Sequence, residues 1–290
     1  MIAVKKDFNI QPISFSKSGC QKIIDKCLSE EKYIKSDWYK TSDIKEQLNK
    51  IYKYKCAYCE GKSQAQAPFQ VEHYRPKNAP KENVVHQGYY WLAYEWSNLL
   101  WSCFWCNNHK DTQFPLVNEK DRVFLPTLES SGKLDFKKCM LNSNDLVNEQ
   151  ALLLNPEIDK PENHLFFLPD GTIKSDTKRG NETIRICQLK RKALVISRKK
   201  IVDDFKDDID FEIRDFLKED LEFKDFKRNI KRIISKISKS GLRTNAYSRL
   251  GYYMFVEFEL FFINDLVYNE NTKTILRNIY QEFKTEFNFA

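Results

Sequence analysis

The spacing of apolar residues predicts helices in both the N-terminal and the C-terminal part of the chain. Between residues 20 and 54, apolar positions recur near helical spacing in a lysine-rich background. These positions are Ile23, Ile24, Cys27, Leu28, Tyr33, Ile44, Leu48 and Ile51. From about residue 181 the same spacing returns, and Ser240-Gly241 interrupts it before aromatic-rich helices that are predicted to follow. The later positions are Val202, Phe205, Ile209, Ile213, Phe216, Ile230, Ile233, Ile234 and Ile237.

The middle of the chain has a different pattern. Residues 56–116 hold three of the four histidines and four of the five tryptophans, together with two pairs of cysteines. Residues 117–180 are rich in turn-forming dipeptides, and Asp170-Gly171 between two short apolar stretches predicts a hairpin. We therefore divide the chain into an N-terminal helical support (1–55), a Cys-rich module (56–116), a turn-rich connector (117–180) and a C-terminal helical region (181–290). The predicted fold class is α+β, mostly α.

Length and composition indicate a globular protein. A chain of 290 residues with 41% hydrophobic residues can bury a substantial core, in one large domain or two small ones. The most apolar run, from Tyr252 to Ile263, contains Glu257 and Glu259, which favours a buried helix over a membrane span. The first residues lack the apolar core and the cleavage site of a signal peptide. We therefore expect a cytoplasmic protein without membrane contact.

Charged residues are segregated along the C-terminal region. The net charge is +7, but residues 178–200 carry nine Lys or Arg against one Glu, and residues 201–223 carry ten acidic against three basic groups. Residues 224–249 return to nine basic against one acidic group. Such blocks suit a polyanion partner, and they are equally typical of the solvated faces of amphipathic helices. The candidate nucleic-acid contacts in the first basic block are Arg191, Lys192, Lys199 and Lys200.

Four of the eight cysteines form two C-x-x-C pairs. Cys56 and Cys59 make the first pair, and Cys103 and Cys106 make the second. In a reducing compartment this spacing favours metal binding over disulfides. Two such pairs predict a tetrahedral zinc site of the closed, structural kind, because four thiolates leave no position for water. The alternative is a set of four ordinary buried cysteines.

Polar residues with possible catalytic roles lie between and after these pairs. Glu72-His73 falls between them, Asn98-Leu precedes the second pair, and Asn107, His109 and Lys110 follow it. A glutamate beside a histidine is, by itself, more typical of a surface pair. The order of the motifs carries more information than any single motif. That order is C-x-x-C, acid–His, Asn-Leu, C-x-x-C-Asn and Lys.

This ordered set resembles the HNH nuclease family in its zinc-knuckle form, which has a ββα-metal fold. The resemblance covers about sixty residues and agrees in order and spacing. It implies that His73 is the general base, that Glu72 is an acidic metal ligand, and that Asn98 holds the loop that orients the histidine. Asn107 matches the second metal-ligand position, and His109 is the alternative if the helix begins late. Most members have Asp where this chain has Glu72.

The implied reaction is hydrolysis of DNA phosphodiester bonds. It requires an activated water and a cation that neutralises charge on the phosphate, and Mg²⁺ or Mn²⁺ suits a carboxylate and an amide oxygen. A neutral histidine is a suitable base near pH 7. Arg75 and Lys110 are candidate phosphate contacts, although either could be a surface charge.

A narrower resemblance extends over residues 50–200. It connects the chain with the nuclease subunits of Septu-type anti-phage systems and of some retron systems, which work beside an ATPase. The matching stretches are 72–77, 90–100, 107–110, 114–116, 153–156 and 179–184. The chain has no G-x-x-x-x-G-K-[ST] loop, so this resemblance implies a separate ATPase partner.

The sequence allows two alternative functions. A zinc-stabilised binding or scaffolding module would need the four cysteines but neither Glu72 nor His73, so these residues favour an enzyme. A small-molecule zinc hydrolase is disfavoured because the predicted zinc site is saturated with thiolates. The aromatic residues between 89 and 101 are predicted to pack in the core rather than to stack on bases.

Overall fold

The structure is a computed structural model that describes residues 1–62 and 68–286. Helices dominate these residues, and two small two-stranded sheets accompany them, so the predicted α+β, mostly α class is confirmed. The chain forms two compact units. The first unit comprises Met1–Leu165 and Ser175–Leu189, and the second comprises Phe166–Lys174 and the chain from Lys190 onward.

The first unit begins with short helices. They are α1 (Ile13–Ser16), α2 (Ser18–Ser29) and α3 (Ser42–Ile51). The helical spacing predicted over residues 20–54 is therefore realised in two helices, and the segment between them has a 3₁₀ turn at Trp38–Lys40. Glu31 adopts a positive φ of 48° just beyond α2, which is incompatible with continuing that helix.

A two-stranded sheet and a helix follow in the same unit. Strand β1 (Gln70–His73) pairs antiparallel with β2 (Leu99–Ser102), in a register that sets Glu72 opposite Leu100 and His73 opposite Leu99. Helix α4 (Phe104–Lys110) begins directly after β2. The four β2 residues are all buried, so this sheet forms part of the core. The remaining helices of the unit are α5 (Phe136–Cys139), α6 (Asn144–Asn148) and α7 (Lys178–Ile186).

The second unit contains the predicted hairpin and the long C-terminal helices. Strands β3 (Phe166–Phe167) and β4 (Ile173–Lys174) pair antiparallel around Asp170-Gly171. Gly171 has a φ of +79°, and a Cβ atom there would lie 2.5 Å from the carbonyl oxygen of Val195, so the turn requires glycine. The helices are α8 (Lys192–Leu217), α9 (Phe223–Ser240), α10 (Ser248–Val256), α11 (Phe258–Phe262) and α12 (Glu270–Glu286).

The apolar spacing predicts the buried faces of α8 and α9 well. Val202, Ile209 and Ile213 of α8 are buried, whereas Phe205 and Phe216 are partly exposed. On α9 the predicted isoleucines are all buried. No helix among the described residues combines the length and the apolar character that a membrane span requires.

Most aromatic residues of the Cys-rich module are in the core, as predicted. The residues Tyr89, Tyr90, Trp91, Tyr94, Trp96 and Trp101 are each 5% exposed or less. Trp105, which the same prediction did not include, is 55% exposed.

Candidate active site

Four cysteines converge in the first unit. Cys56 and Cys59 follow α3, Cys103 directly precedes α4, and Cys106 lies in the first turn of α4. Their Sγ atoms all lie within 4.8 Å of one another, and those of Cys59 and Cys103 are 3.8 Å apart. Zn–S bonds of about 2.3 Å place the ligands of a tetrahedral ion about 3.8 Å apart. The predicted convergence is confirmed, and the cluster could hold a metal ion such as zinc.

Groups around the cluster orient its thiols. The N–H of Tyr58 donates to Sγ of Cys56 at 3.4 Å, and the N–H of Gly61 donates to Sγ of Cys59 at 3.4 Å. The hydroxyl oxygen of Ser102 lies 3.7 Å from Sγ of Cys56. Burial raises the pKa of the Cys56 thiol well above its ordinary value, and a bound cation would favour its thiolate. With all four ligands from the protein, the ion would have a structural role.

Glu72 and His73 end strand β1 and face a common space. Both are buried, with 4% and 5% exposure. Neighbours on a strand ordinarily point to opposite faces, yet both residues line a cavity of 620 Å³ and a second cavity of 250 Å³. The two cavities share Gln70, Glu72, His73, Lys77 and Asn107 in their walls. We call this shared space the Glu72–His73 cleft.

Hydrogen bonds fix the tautomer of His73. Its Nε2 lies 3.0 Å from the carbonyl oxygen of Ala93 and therefore donates to it. In the neutral ring, Nδ1 is then the nitrogen that can accept a proton. Burial holds the pKa of His73 well below its ordinary value, and Lys77 lowers it further. Nζ of Lys77 lies 3.4 Å from Nδ1. The imidazole is thus neutral at pH 7, and its Nδ1 accepts a hydrogen bond from the ammonium of Lys77.

Asn98 fixes the backbone around the histidine. Its Oδ1 accepts from the N–H of Arg75 at 2.8 Å, and its Nδ2 donates to the carbonyl oxygens of Arg75 at 3.0 Å and Leu92 at 3.1 Å. Leu92 immediately precedes Ala93, whose carbonyl orients His73. Asn98 therefore joins the segment after β1 to the turn that holds the imidazole. The role in orienting a catalytic base that the resemblance implies for Asn98 stays a prediction.

Asn98→Ala is expected to destabilise the first unit. The substitution leaves three buried backbone groups without their partner, and each unsatisfied group costs about 1–3 kcal/mol. Urea denaturation of both proteins measures the loss. Asn98→Asp is the matched comparison, because it keeps the acceptor for Arg75 N–H but cannot donate to the carbonyl oxygens of Arg75 and Leu92. A carboxylate buried against two carbonyl oxygens is unfavourable, so we expect this variant to be destabilised as well, and an Asn98→Ala variant as stable as the wild type would contradict the role.

Two predicted phosphate contacts are not surface charges. Arg75 is 2% exposed, and its Nε donates to Glu149 at 2.7 Å. Lys110 is fully buried, and its Nζ donates to the carbonyl oxygen of His73 at 2.9 Å and lies 2.7 Å from Glu72. This corrects the expectation for both residues, because their charges are used inside the protein. Burial raises the pKa of Glu72, and the ammonium of Lys110 opposes that shift.

The amide of Asn107 lies in the cleft, and the ring of His109 does not. Asn107 lines both cavities, and its Nδ2 donates to Oε1 of Gln70 at 2.7 Å. This hydrogen bond directs the amide nitrogen to Gln70, so the amide oxygen is the atom suited to a hard cation. His109 lines neither cavity and stacks on Trp105. Glu72 and Asn107 therefore both line the cleft, whereas His109 does not.

The sequence did not single out several residues of the cleft. Tyr39 packs edge-on against His73 with ring centroids 4.6 Å apart. Lys40 and Lys45 line the larger cavity, and Lys77 lines both. Lys77 ends the stretch 72–77 that matches in the narrower resemblance, but the sequence assigned it no role. These lysines give the cleft a cationic wall.

The predicted basic block lies in the second unit. Arg191 directly precedes α8 and is half-buried, while Lys192 is exposed. Lys199 and Lys200 are exposed and form ion pairs with Asp203 and Asp204, one turn further along the helix. Exposed pairs of this kind contribute little free energy.

Comparisons with known proteins identify two relatives, while no protein-family model matches the sequence. The chain is 36% identical over 175 residues to Septu protein PtuB of Bacillus mycoides (strain KBAB4), in an alignment that takes in 58% of this chain and 54% of that protein. It is 26% identical over 162 residues to Septu protein PtuA of the same strain, covering 54% of this chain and 20% of that protein. The chain therefore spans about half the length of the first relative and a fifth of the second. The resemblance to Septu proteins is thus supported by sequence similarity.

Proposed function

We propose that this chain is a metal-dependent HNH-type endonuclease that hydrolyses phosphodiester bonds in DNA. The observation that carries the proposal is the convergence of Glu72, His73 and Asn107 on one cleft beside the four-cysteine cluster. The order of β1, β2 and α4 is the order of a ββα-metal module. An antiparallel strand pair presents the acid and the base, and the helix that follows presents the amide.

The residues of the cleft would have different roles in the proposed reaction. Nδ1 of His73 takes a proton from the attacking water, because Nε2 is engaged by Ala93. Glu72 and Asn107 would hold Mg²⁺ or Mn²⁺, which supplies charge neutralisation at the phosphate and the leaving oxygen. Lys40, Lys45 and Lys77 favour the approach of the polyanion.

Similarity to two Septu proteins supports a place in a Septu-type anti-phage complex. In that complex, the chain would be the effector nuclease and an ATPase would be its partner. A nuclease without control would damage the DNA of its own cell, and the chain has no nucleotide-binding loop of its own. We therefore infer that the partner restrains or licenses cleavage.

A plasmid assay tests the proposed activity. The zinc-loaded chain is incubated with supercoiled plasmid and Mg²⁺ or Mn²⁺, both alone and after co-expression with the proposed ATPase partner. We expect nicked and linear products with Mg²⁺ or Mn²⁺ and none when neither ion is added. No cleavage in any of these reactions would favour the alternative, a catalytically silent nucleic-acid-binding or scaffolding subunit. Equal cleavage with and without the ATPase would contradict the proposed control.

Charge reversal on α8 tests whether the basic block binds DNA. In the variant Lys192→Glu, Lys199→Glu and Lys200→Glu, affinity should fall alike for all sequences, since phosphate contacts carry no sequence information. The slope of log affinity against log salt should flatten by about 0.9 for each lost contact. Reversal of Lys218, an exposed lysine in the acidic block, is the control. An unchanged salt slope would mean that the block is a solvated helix face.

A further inference from the structure

One group of aromatic rings lies outside the core, at the start of α4. Phe104 is 37% exposed and Trp105 is 55% exposed. Trp91, Trp96 and Trp101 in the same part of the chain are 5% exposed or less. A single exposed ring needs no explanation, but adjoining exposed rings beside a cleft are typical of binding surfaces.

The rings are arranged as a platform. Trp105 and His109 are one helical turn apart, and their rings stack with an interplanar angle of 29° and centroids 6.4 Å apart. Phe104 meets Trp105 edge-on, with centroids 5.3 Å apart and an angle of 80°. Helix α4 ends at Lys110, whose buried ammonium ties this end to strand β1 through the carbonyl oxygen of His73. The platform is therefore attached to the same strand that carries the candidate base.

Phe104 connects the platform with the Glu72–His73 cleft. It lines the cavity of 250 Å³ together with Glu72, His73, Asn107 and Asn108. The adjoining cavity has Lys40, Lys45 and Lys77 in its wall. Phe104 and the cationic side chains thus lie around one cleft, and Trp105 adjoins Phe104. Proteins that bind single strands combine the same two features, with lysines for the phosphates and rings for the bases.

We propose that the exposed ring of Trp105, backed by His109 and flanked edge-on by Phe104, is a stacking platform for an unpaired base of single-stranded DNA. This inference rests on the proposed nuclease function and specifies its substrate class. In a duplex the faces of each base are covered by its neighbours, and only the base edges are open in the grooves. A platform of ring faces is therefore complementary to unpaired bases. It would place the phosphate next to the stacked base in the cleft.

Binding measurements on single variants test the platform. His73→Ala serves as the background, so that DNA is bound without being cut. Fluorescence anisotropy compares a labelled 20-nucleotide single strand, the same strand with abasic sites, and its duplex. Trp105→Ala should weaken binding of the intact strand about 5- to 150-fold, the loss of one stacked base. Trp105→Phe keeps a ring and should retain most of the affinity.

The abasic strand separates stacking from other roles. It keeps the phosphates but lacks the base faces, so Trp105→Ala should leave its affinity unchanged. Phe136→Ala is the matched control, because Phe136 is 40% exposed and lies outside both cavities of the cleft. It should leave all affinities unchanged. Zinc content and thermal unfolding verify that each variant is folded.

Several results would overturn the platform. The platform would be wrong if Trp105→Ala left the affinity for the intact strand unchanged. It would also be wrong if Trp105→Ala lost as much affinity for the abasic strand as for the intact strand. If the His73→Ala protein did not bind single-stranded DNA at all, the platform would also be wrong. If Trp105→Ala weakened only the binding of a co-expressed ATPase, these rings would belong to a protein interface. Cleavage by the wild-type chain is measured separately. Failure of the platform is therefore distinguishable from failure of the proposed nuclease.

Discussion

His73→Ala is expected to lower the rate of DNA cleavage by a factor of about 10²–10⁴, the usual contribution of general-base catalysis. DNA affinity should be unchanged, because the base acts only in the chemical step. His73 also packs against Tyr39 and donates to Ala93, so its removal could disturb the cleft. His73→Gln is the matched control, since it keeps the volume and a donor but has no nitrogen that accepts a proton. Both variants should be inactive and folded.

The burial of His73 fixes the direction of the pH dependence. Its pKa in the folded protein lies well below the ordinary value of 6.5, so the neutral base persists as the pH falls through 6.5. Activity that depends on neutral His73 should therefore decrease only when the pH falls below 6.5. His73 binds a proton more readily in the unfolded chain than in the folded protein. The contribution of neutral His73 to the free energy of unfolding is therefore fully present above about pH 6.5 and declines as the pH falls. Rate profiles and urea denaturation at several pH values measure both trends.

Cys106→Ser is expected to unfold the part of the chain around the cluster. Structural zinc contributes about 10–16 kcal/mol of apparent binding free energy, which is comparable to the total stability of a typical domain, about 5–15 kcal/mol. Metal analysis should find one zinc per wild-type chain and little in the variant, and circular dichroism should show loss of structure. Cys20→Ala is the control, because Cys20 is equally buried but lies outside the cluster. A folded, zinc-free Cys106→Ser protein would contradict a structural zinc.

The sequence predicts those features of the site that depend on spacing. Two C-x-x-C pairs predict one cluster whichever way the intervening chain runs, and Cys56 and Cys103 do meet. The period of the apolar residues likewise predicts the buried faces of α8 and α9. The hairpin at Asp170-Gly171 follows from its turn residues. Each of these signals is local and needs no knowledge of the tertiary structure.

Features that depend on tertiary contacts were not predictable in this way. Arg75 was predicted to be a phosphate contact or a surface charge, but it is buried with Glu149, which is 74 residues away in the sequence. Tyr39 reaches His73 from a distant turn. The choice between Asn107 and His109 depends on where α4 begins, which the sequence leaves undetermined by a residue or two. Trp105 is exposed because it occupies the outer face of α4, beside the buried Cys106.

The central claim is tested most directly by the metal dependence of DNA cleavage. One DNA substrate is used for the wild type, Glu72→Gln and His73→Ala. The cleavage rate is measured over a range of Mg²⁺ concentrations with zinc-loaded protein. Glu72→Gln removes a charged metal ligand, so its half-maximal rate should require more Mg²⁺, and excess metal should partly restore activity. His73→Ala should remain inactive at every Mg²⁺ concentration. Cleavage by His73→Ala at the wild-type rate, or an unchanged metal requirement in Glu72→Gln, would show that DNA is not cut at this cleft.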